Sequence, residues 1–158
     1  MKPFVATATA IALMLGAPAL AATDDAETAA IEPSGDAAAG ETVFGRQCAT
    51  CHVVKDDEGE LLAGRNGRQG PNLYNITGHH AAVVEDFKYG KSMAEVADTD
   101  TIWTEENFVA YVKDPTDWLR ETLDDKKARS KMAWKVRDDK DAADVFAYLH
   151  SLSPGDAE

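Results

Sequence analysis

The sequence predicts an all-α domain, four to five helices and long loops, and three observations lead there. Asp36, Thr104 and Asp114 each offer a helix N-cap just ahead of a segment with apolar residues at helical spacing. Near the C-terminus Ala142, Val145, Phe146, Leu149 and Leu152 form a single amphipathic stripe. No stretch shows the period-two alternation of a half-buried strand.

The elements follow in order. Residues 22–35 are Ala-rich and acidic, with Pro33 and Gly35 near the end, and read as a flexible N-terminal tail. From Asp36 a helix is expected to about Ala49, with Gly40, Phe44 and Cys48 on one face. A glycine inside a helix costs stability, so Gly40 marks a close approach of another backbone. Residues 53–70 form a long polar loop with four glycines, and 74–90 look irregular. A short helix is expected over about Lys91–Ala97. Thr104, with Glu105 and Glu106 in the first turn, starts a helix whose apolar side carries Phe108, Val109, Tyr111 and Val112. Asp114 then caps a further helix with Pro115 as its first residue, running to about Leu123. The last helix runs from about Asp138 to Leu152 and stops at Ser153-Pro154-Gly155. The folded domain is expected over 36–153, with 154–158 as a C-terminal tail.

Composition narrows the class. The chain has 158 residues, 28 acidic and 16 basic, for a formal charge of −12. That balance argues against a nucleic-acid partner, since phosphate binding needs basic surface. Residues 1–21 read as a cleaved signal peptide. Lys2 gives the positive start, Phe4 to Leu15 the apolar run, and Ala19-Leu20-Ala21 the cleavage site. Cleavage there removes one base and no acid, taking the formal charge to −13. The run is short for a bilayer span; retained, it would be an anchor.

Cys48-Ala49-Thr50-Cys51-His52 is a C-x-x-C-H run, the attachment signature of c-type haem. Each thiol adds across one porphyrin vinyl group, which needs the two cysteines about one helical turn apart. His52 is then held under the ring with its imidazole toward the iron. A zinc site would need two more ligands, yet there is no further cysteine, and His79, His80 and His150 are poorly spaced for it. A redox dithiol would usually follow a strand in an α/β pattern, which is absent here. One motif implies one covalent haem c, and attachment outside the cytoplasm agrees with the leader, so the periplasm is the expected location.

Two further features bear on the iron. Pro71, in Gly70-Pro71-Asn72-Leu73, either offers its carbonyl to the second ring nitrogen of His52 or is an ordinary turn proline. For the other axial position the chain past the leader offers Met93, Met132 and three histidines. Met132 lies in Lys131-Met132-Ala133-Trp134, which has no helical stripe of its own, so core filling does not explain it. Met93 sits in an expected helix, where a gap-filling methionine is the usual reading.

In this order these pieces resemble a class I c-type cytochrome of the bacterial cytochrome c2 and c-550 type. The resemblance rests on Gly40, Phe44, Cys48-Ala49-Thr50-Cys51-His52, Gly70-Pro71-Asn72-Leu73, Trp103, Tyr111, Lys131-Met132-Ala133-Trp134 and Tyr148-Leu149, over about 36–152. It implies the cytochrome c fold, with Cys48 and Cys51 holding the haem and His52 and Met132 as axial ligands. It implies that the Pro71 carbonyl accepts from His52, that Tyr111 bonds near the methionine sulfur, and that Tyr89, Trp103 and Ser130 reach the propionates. Trp134 stands where the family usually has Phe, beside the exposed ring edge. Gly40 and Phe44 would cross Tyr148 and Leu149. The chain departs at Gly78-His79-His80, where members often carry arginine near a propionate.

Filled axial positions leave no open site for substrate, so an electron carrier rather than an enzyme is expected. Lys126, Lys127, Arg129, Lys131, Lys135 and Arg137 put six bases in twelve residues around Met132, which reads as a docking ring for redox partners with acidic patches. The resemblance implies a quinol–cytochrome c oxidoreductase as donor and an oxidase, reaction centre or denitrification enzyme as acceptor. A monomer, not membrane-spanning once the leader is cleaved, is expected. The rival readings are a tethered or enzyme-associated cytochrome subunit and a haem peroxidase or sensor with an open sixth position.

Overall fold

A computed structural model describes residues 31–152. The leader at 1–21, most of the expected tail and the segment 154–158 lie outside the described residues. Among the described residues five helices appear in the expected order: α1 (Ala37–Gln47), α2 (Lys91–Val96), α3 (Glu105–Lys113), α4 (Pro115–Thr122) and α5 (Asp139–Leu152).

The caps explain where the helices begin. Asp36 Oδ1 accepts from the amides of Ala38 at 2.8 Å and Ala39 at 3.2 Å. Thr104 accepts from Asn107 at 3.2 Å, and Asp114, with Pro115 as the first helical residue, accepts from Asp117 at 3.2 Å. Asp138 accepts from Lys140 and Asp141 at the start of α5. Each cap satisfies amides that the helix itself leaves unpaired.

α1 crosses α5 where Gly40 is buried on the Asp144 carbonyl, and Phe44 packs on Tyr148 with ring centroids 5.7 Å apart. A side chain at 40 would overlap that carbonyl, so the helical glycine is required by close approach rather than by backbone conformation. Phe108 of α3 meets Phe146 of α5 at 5.6 Å, and Trp103 stacks on Trp118 of α4 at 5.5 Å. The core therefore joins α1, α3, α4 and α5.

Two features differ from the sequence expectation. The polar loop at 53–70 contains a small antiparallel hairpin, β1 (Val53–Lys55) and β2 (Leu61–Gly64), with Val54 opposite Ala63 and a bulge after Val54. Strands of three and four residues are too short to show a period, and only Val54 among them is buried. Its tip is closed by Asp56, whose carboxylate accepts from Glu60 at 2.7 Å.

The second difference is at the expected flexible tail, of which 31–35 is described and is not free. The Ser34 amide donates to Glu105 at 2.7 Å, its hydroxyl also meets that carboxylate, and Ile31 packs against the core. Composition hides this because the partner lies 71 residues away, in the first turn of α3. The Asp36 amide continues the strap, donating to buried Asp144 at 2.8 Å, which Lys140 also binds at 2.6 Å.

The irregular residues 74–90 are held by an isolated antiparallel bridge between His80 and Ile102. Trp103 donates to the His79 carbonyl at 2.9 Å and Ala81 to that of Thr101 at 2.8 Å. This lays segment 74–90 beside the Trp103 end of the core.

Candidate haem-binding cavity

Past Gln47 the α1 ladder tightens into a turn, with the amides of Cys51 and His52 both bonded to the Cys48 carbonyl at 3.0 Å. That turn places both thiols and the imidazole on one cavity of about 460 Å³. All ten residues singled out from the sequence line it: Cys48, Cys51, His52, Pro71, Tyr89, Trp103, Tyr111, Ser130, Met132 and Trp134. Its wall is predominantly apolar, as a porphyrin face requires.

His52 is fixed from behind. Its Nδ1 lies 3.0 Å from the Pro71 carbonyl, so the neutral ring donates there and Nε2 carries the free lone pair. Burial pushes the His52 pKa down, with the Pro71 carbonyl opposing, which favours the neutral, metal-binding form. Gly70 makes room: a side chain there would stand on the imidazole, while its own amide is pinned to the Cys51 carbonyl at 2.9 Å. Of the two readings of Pro71, the carbonyl acceptor is the geometry observed.

Burial, with the Cys51 thiol beside it, pushes Cys48 up to about 12. At neutral pH this thiol is protonated, as expected of one wrapped in apolar surface.

Both methionines reach the cavity. Met93 is held in α2 and is 8 % exposed. Met132 lies in a segment without regular secondary structure, its amide donating to Ser130 Oγ at 3.0 Å. Ser130 is in turn tied to α4 through Thr116, 3.3 Å, and meets the Tyr111 hydroxyl at 3.4 Å. The hydroxyl partner of Tyr111 in this structure is Ser130, two residues before Met132 and bonded to its amide. Burial pushes the Tyr111 and Tyr89 phenols up, and both remain neutral donors at pH 7. At the far end of the segment Val136 donates to the Val112 carbonyl of α3 at 2.9 Å.

His79 and His80 also line the cavity, and His79 Nδ1 lies 3.1 Å from the Thr77 carbonyl. His150 is elsewhere, 3.1 Å from the Thr77 hydroxyl. Residue pattern alone does not reveal the wall built by Ala82, Val83, Val84 and Phe87, which has neither helical nor strand period, nor the part played by Gln47.

The basic run is only partly free. Lys135 pairs with Asp114 at 2.5 Å, and Lys131 donates to the Lys88 carbonyl at 2.8 Å. Lys126, Lys127, Arg129 and Arg137 are exposed and take part in none of the ion pairs among the described residues.

The donor set fits a covalently attached haem: two thiols, a neutral imidazole with an orienting acceptor, and a thioether on one apolar cavity. Comparison with known proteins agrees. The family model described as Cytochrome c matches residues 37–153. Cytochrome c2 of Rhodovulum adriaticum is 56 % identical over 122 residues, covering 77 % of this chain and 96 % of that one. Cytochrome c-550 of Paracoccus denitrificans is 43 % identical over 129 residues, covering 78 % and 81 %. The crystal structure of cytochrome c2 from Rhodobacter sphaeroides superposes with a TM-score of 0.72 at 45 % identity, over 75 % of this chain and 96 % of that one.

Proposed function

The chain belongs to the cytochrome c family as a class I cytochrome of the c2 type with one covalent haem c, and on that premise we propose how its own residues make it a periplasmic electron shuttle. Bound haem c supplies a single-electron change at iron. Cys48 and Cys51 would hold the group by thioether bonds, and His52 and Met132 are the residues that would ligate its iron. The Pro71 carbonyl keeps the His52 ring in the tautomer that presents Nε2. Tyr89, Trp103 and Ser130 line the cavity and would serve the propionates, and Tyr111 supports the Met132 segment through Ser130.

With His52 and Met132 both engaging the iron, no position would be left for a reactant, which agrees with an electron carrier rather than an enzyme. A thioether favours the ferrous state and raises the potential. The predominantly apolar wall would keep water from most of the ring, while Trp134, 57 % exposed, stands at the cavity rim where transfer to a partner would take place. Partners present acidic patches to Lys126, Lys127, Arg129 and Arg137, which are exposed and outside the ion pairs of the described residues; the chemistry suits a quinol–cytochrome c oxidoreductase as donor and an oxidase, reaction centre or denitrification enzyme as acceptor. The leader at 1–21 would deliver the chain to the periplasm, where it works as a monomer.

The observation that carries this reading is the convergence of both thiols, the His52 imidazole and the Met132 segment on one apolar cavity. The test is exposure of the dithionite-reduced protein to carbon monoxide at neutral pH. No spectral change is expected; rapid formation of a carbon monoxide adduct would overturn the carrier assignment.

A further inference from the structure

Gln47 is the last residue of α1, next to Cys48, and lines the cavity. Its amide faces two groups from distant parts of the chain. Trp134 Nε1 donates to Gln47 Oε1 at 3.4 Å, and Gln47 Nε2 donates to Asp141 Oδ2 at 3.2 Å. The indole N–H can only donate and the carboxylate can only accept, so the amide orientation follows without ambiguity. Asp141 is a firm anchor, because its own amide is held by the Asp138 cap at the start of α5. Trp134 lies two residues beyond Met132, on a segment whose other fixings point away from α1: Ser130 to α4, Lys135 to Asp114, Val136 to α3.

We propose that Gln47 is a positioning residue that latches the Met132 segment across the cavity, tying Trp134 to the α1–α5 corner through one side-chain amide. The latch rests on the reading of Met132 as an axial ligand. Opening the segment draws the thioether off the iron and must break the Trp134–Gln47 bond. The latch therefore sets how often the sixth position opens, and with it the time for which the carrier stays closed to other ligands. Trp134 does this with its N–H, which a phenylalanine would lack.

The test uses the ferric holoprotein with imidazole as the added ligand, followed by loss of the weak far-red sulfur-to-iron band. At saturating imidazole the rate is limited by segment opening. Gln47→Leu and Trp134→Phe are each expected to raise that rate about 2- to 10-fold, the worth of one net hydrogen bond. The double variant is expected to exceed neither single one, because both remove the same bond. An unchanged rate in Gln47→Leu, or additive effects in the double variant, would overturn the latch while leaving the ligand assignment intact. Absence of the far-red band from the unsubstituted protein would overturn the Met132 reading and the latch together. Melting temperatures separate a packing role, which would lower stability without changing the opening rate.

Discussion

Replacing Gly40 by alanine tests the crossing that positions the haem motif. Two effects oppose. Alanine in a helix interior gains about 0.5–1 kcal/mol over glycine. The added Cβ, however, would overlap the Asp144 carbonyl oxygen and lie 2.5 Å from its carbon and 2.9 Å from Tyr148 Cβ. The nearest of these atoms belong to backbone inside α5 and cannot swing aside as a side-chain tip can. Overpacking of this kind costs about 1–3 kcal/mol, and the backbone contact puts it at the upper end. The net loss is about 2 kcal/mol, against the 5–15 kcal/mol that typically separates folded from unfolded chains. Each kcal/mol moves the midpoint by about 2–8 °C in domains of this size range. Gly45, five residues on in the same helix, has nothing within 4 Å of a built Cβ. Gly45→Ala should therefore gain up to about 1 kcal/mol. The assay is thermal and guanidinium unfolding of the holoprotein, followed by far-ultraviolet circular dichroism. A Gly40→Ala protein as stable as the parent, or stabilised like Gly45→Ala, would refute the close crossing of α1 on α5.

Two other outcomes follow. The Asp36 amide, then Lys140, hold the Asp144 carboxyl below the ordinary carboxylate value. A depressed folded pKa contributes stability that is complete above about pH 4 and is lost as pH falls through the folded value. Asp144→Asn should therefore be less stable at pH 7 and lose less between pH 5 and pH 3, as read by melting curves; parallel curves for the two proteins would contradict this. Neutralising Lys126 and Lys127 together should slow second-order electron exchange with an acidic partner about 2- to 10-fold at low ionic strength and leave it unchanged in high salt. Lys135→Ala should do less because Asp114 already pairs with it, and stopped-flow rates across a salt series would show an error here as equal effects.

The parts legible in the sequence are those written locally. Asp36, Thr104 and Asp114 cap helices because a short polar side chain meets amides two or three residues on, and each appears where its position implied. Gly40 announced a helix crossing because nothing else explains a glycine on an apolar face. The C-x-x-C-H run is local too, one turn long. What escaped depends on partners far along the chain. The hairpin at 53–64 is too short to carry a period, and Ser34 finds Glu105 only after folding. The cavity wall at 82–87 is irregular backbone, with Ala82 and Asp86 at positive φ, held in place by the strand-like contact of His80 with Ile102. Gln47 reads as one more polar residue at a helix end until Trp134 and Asp141 are placed beside it.

The site makes the same point with the methionines. Both line the cavity, and spacing alone does not rank them. Met93 belongs to a helix and the core, whereas Met132 sits on a segment whose amide, hydroxyl and indole contacts all serve to hold it in place. That difference supports the proposal that Met132 supplies the thioether.

The most direct measurement is the far-red sulfur-to-iron band of the ferric holoprotein in Met132→Ala and Met93→Ala. The account predicts that the band and the high potential vanish in Met132→Ala, which then binds imidazole or carbon monoxide readily, while Met93→Ala keeps the band. Persistence of the band in Met132→Ala, or its loss in Met93→Ala alone, would contradict the axial assignment on which the carrier function stands.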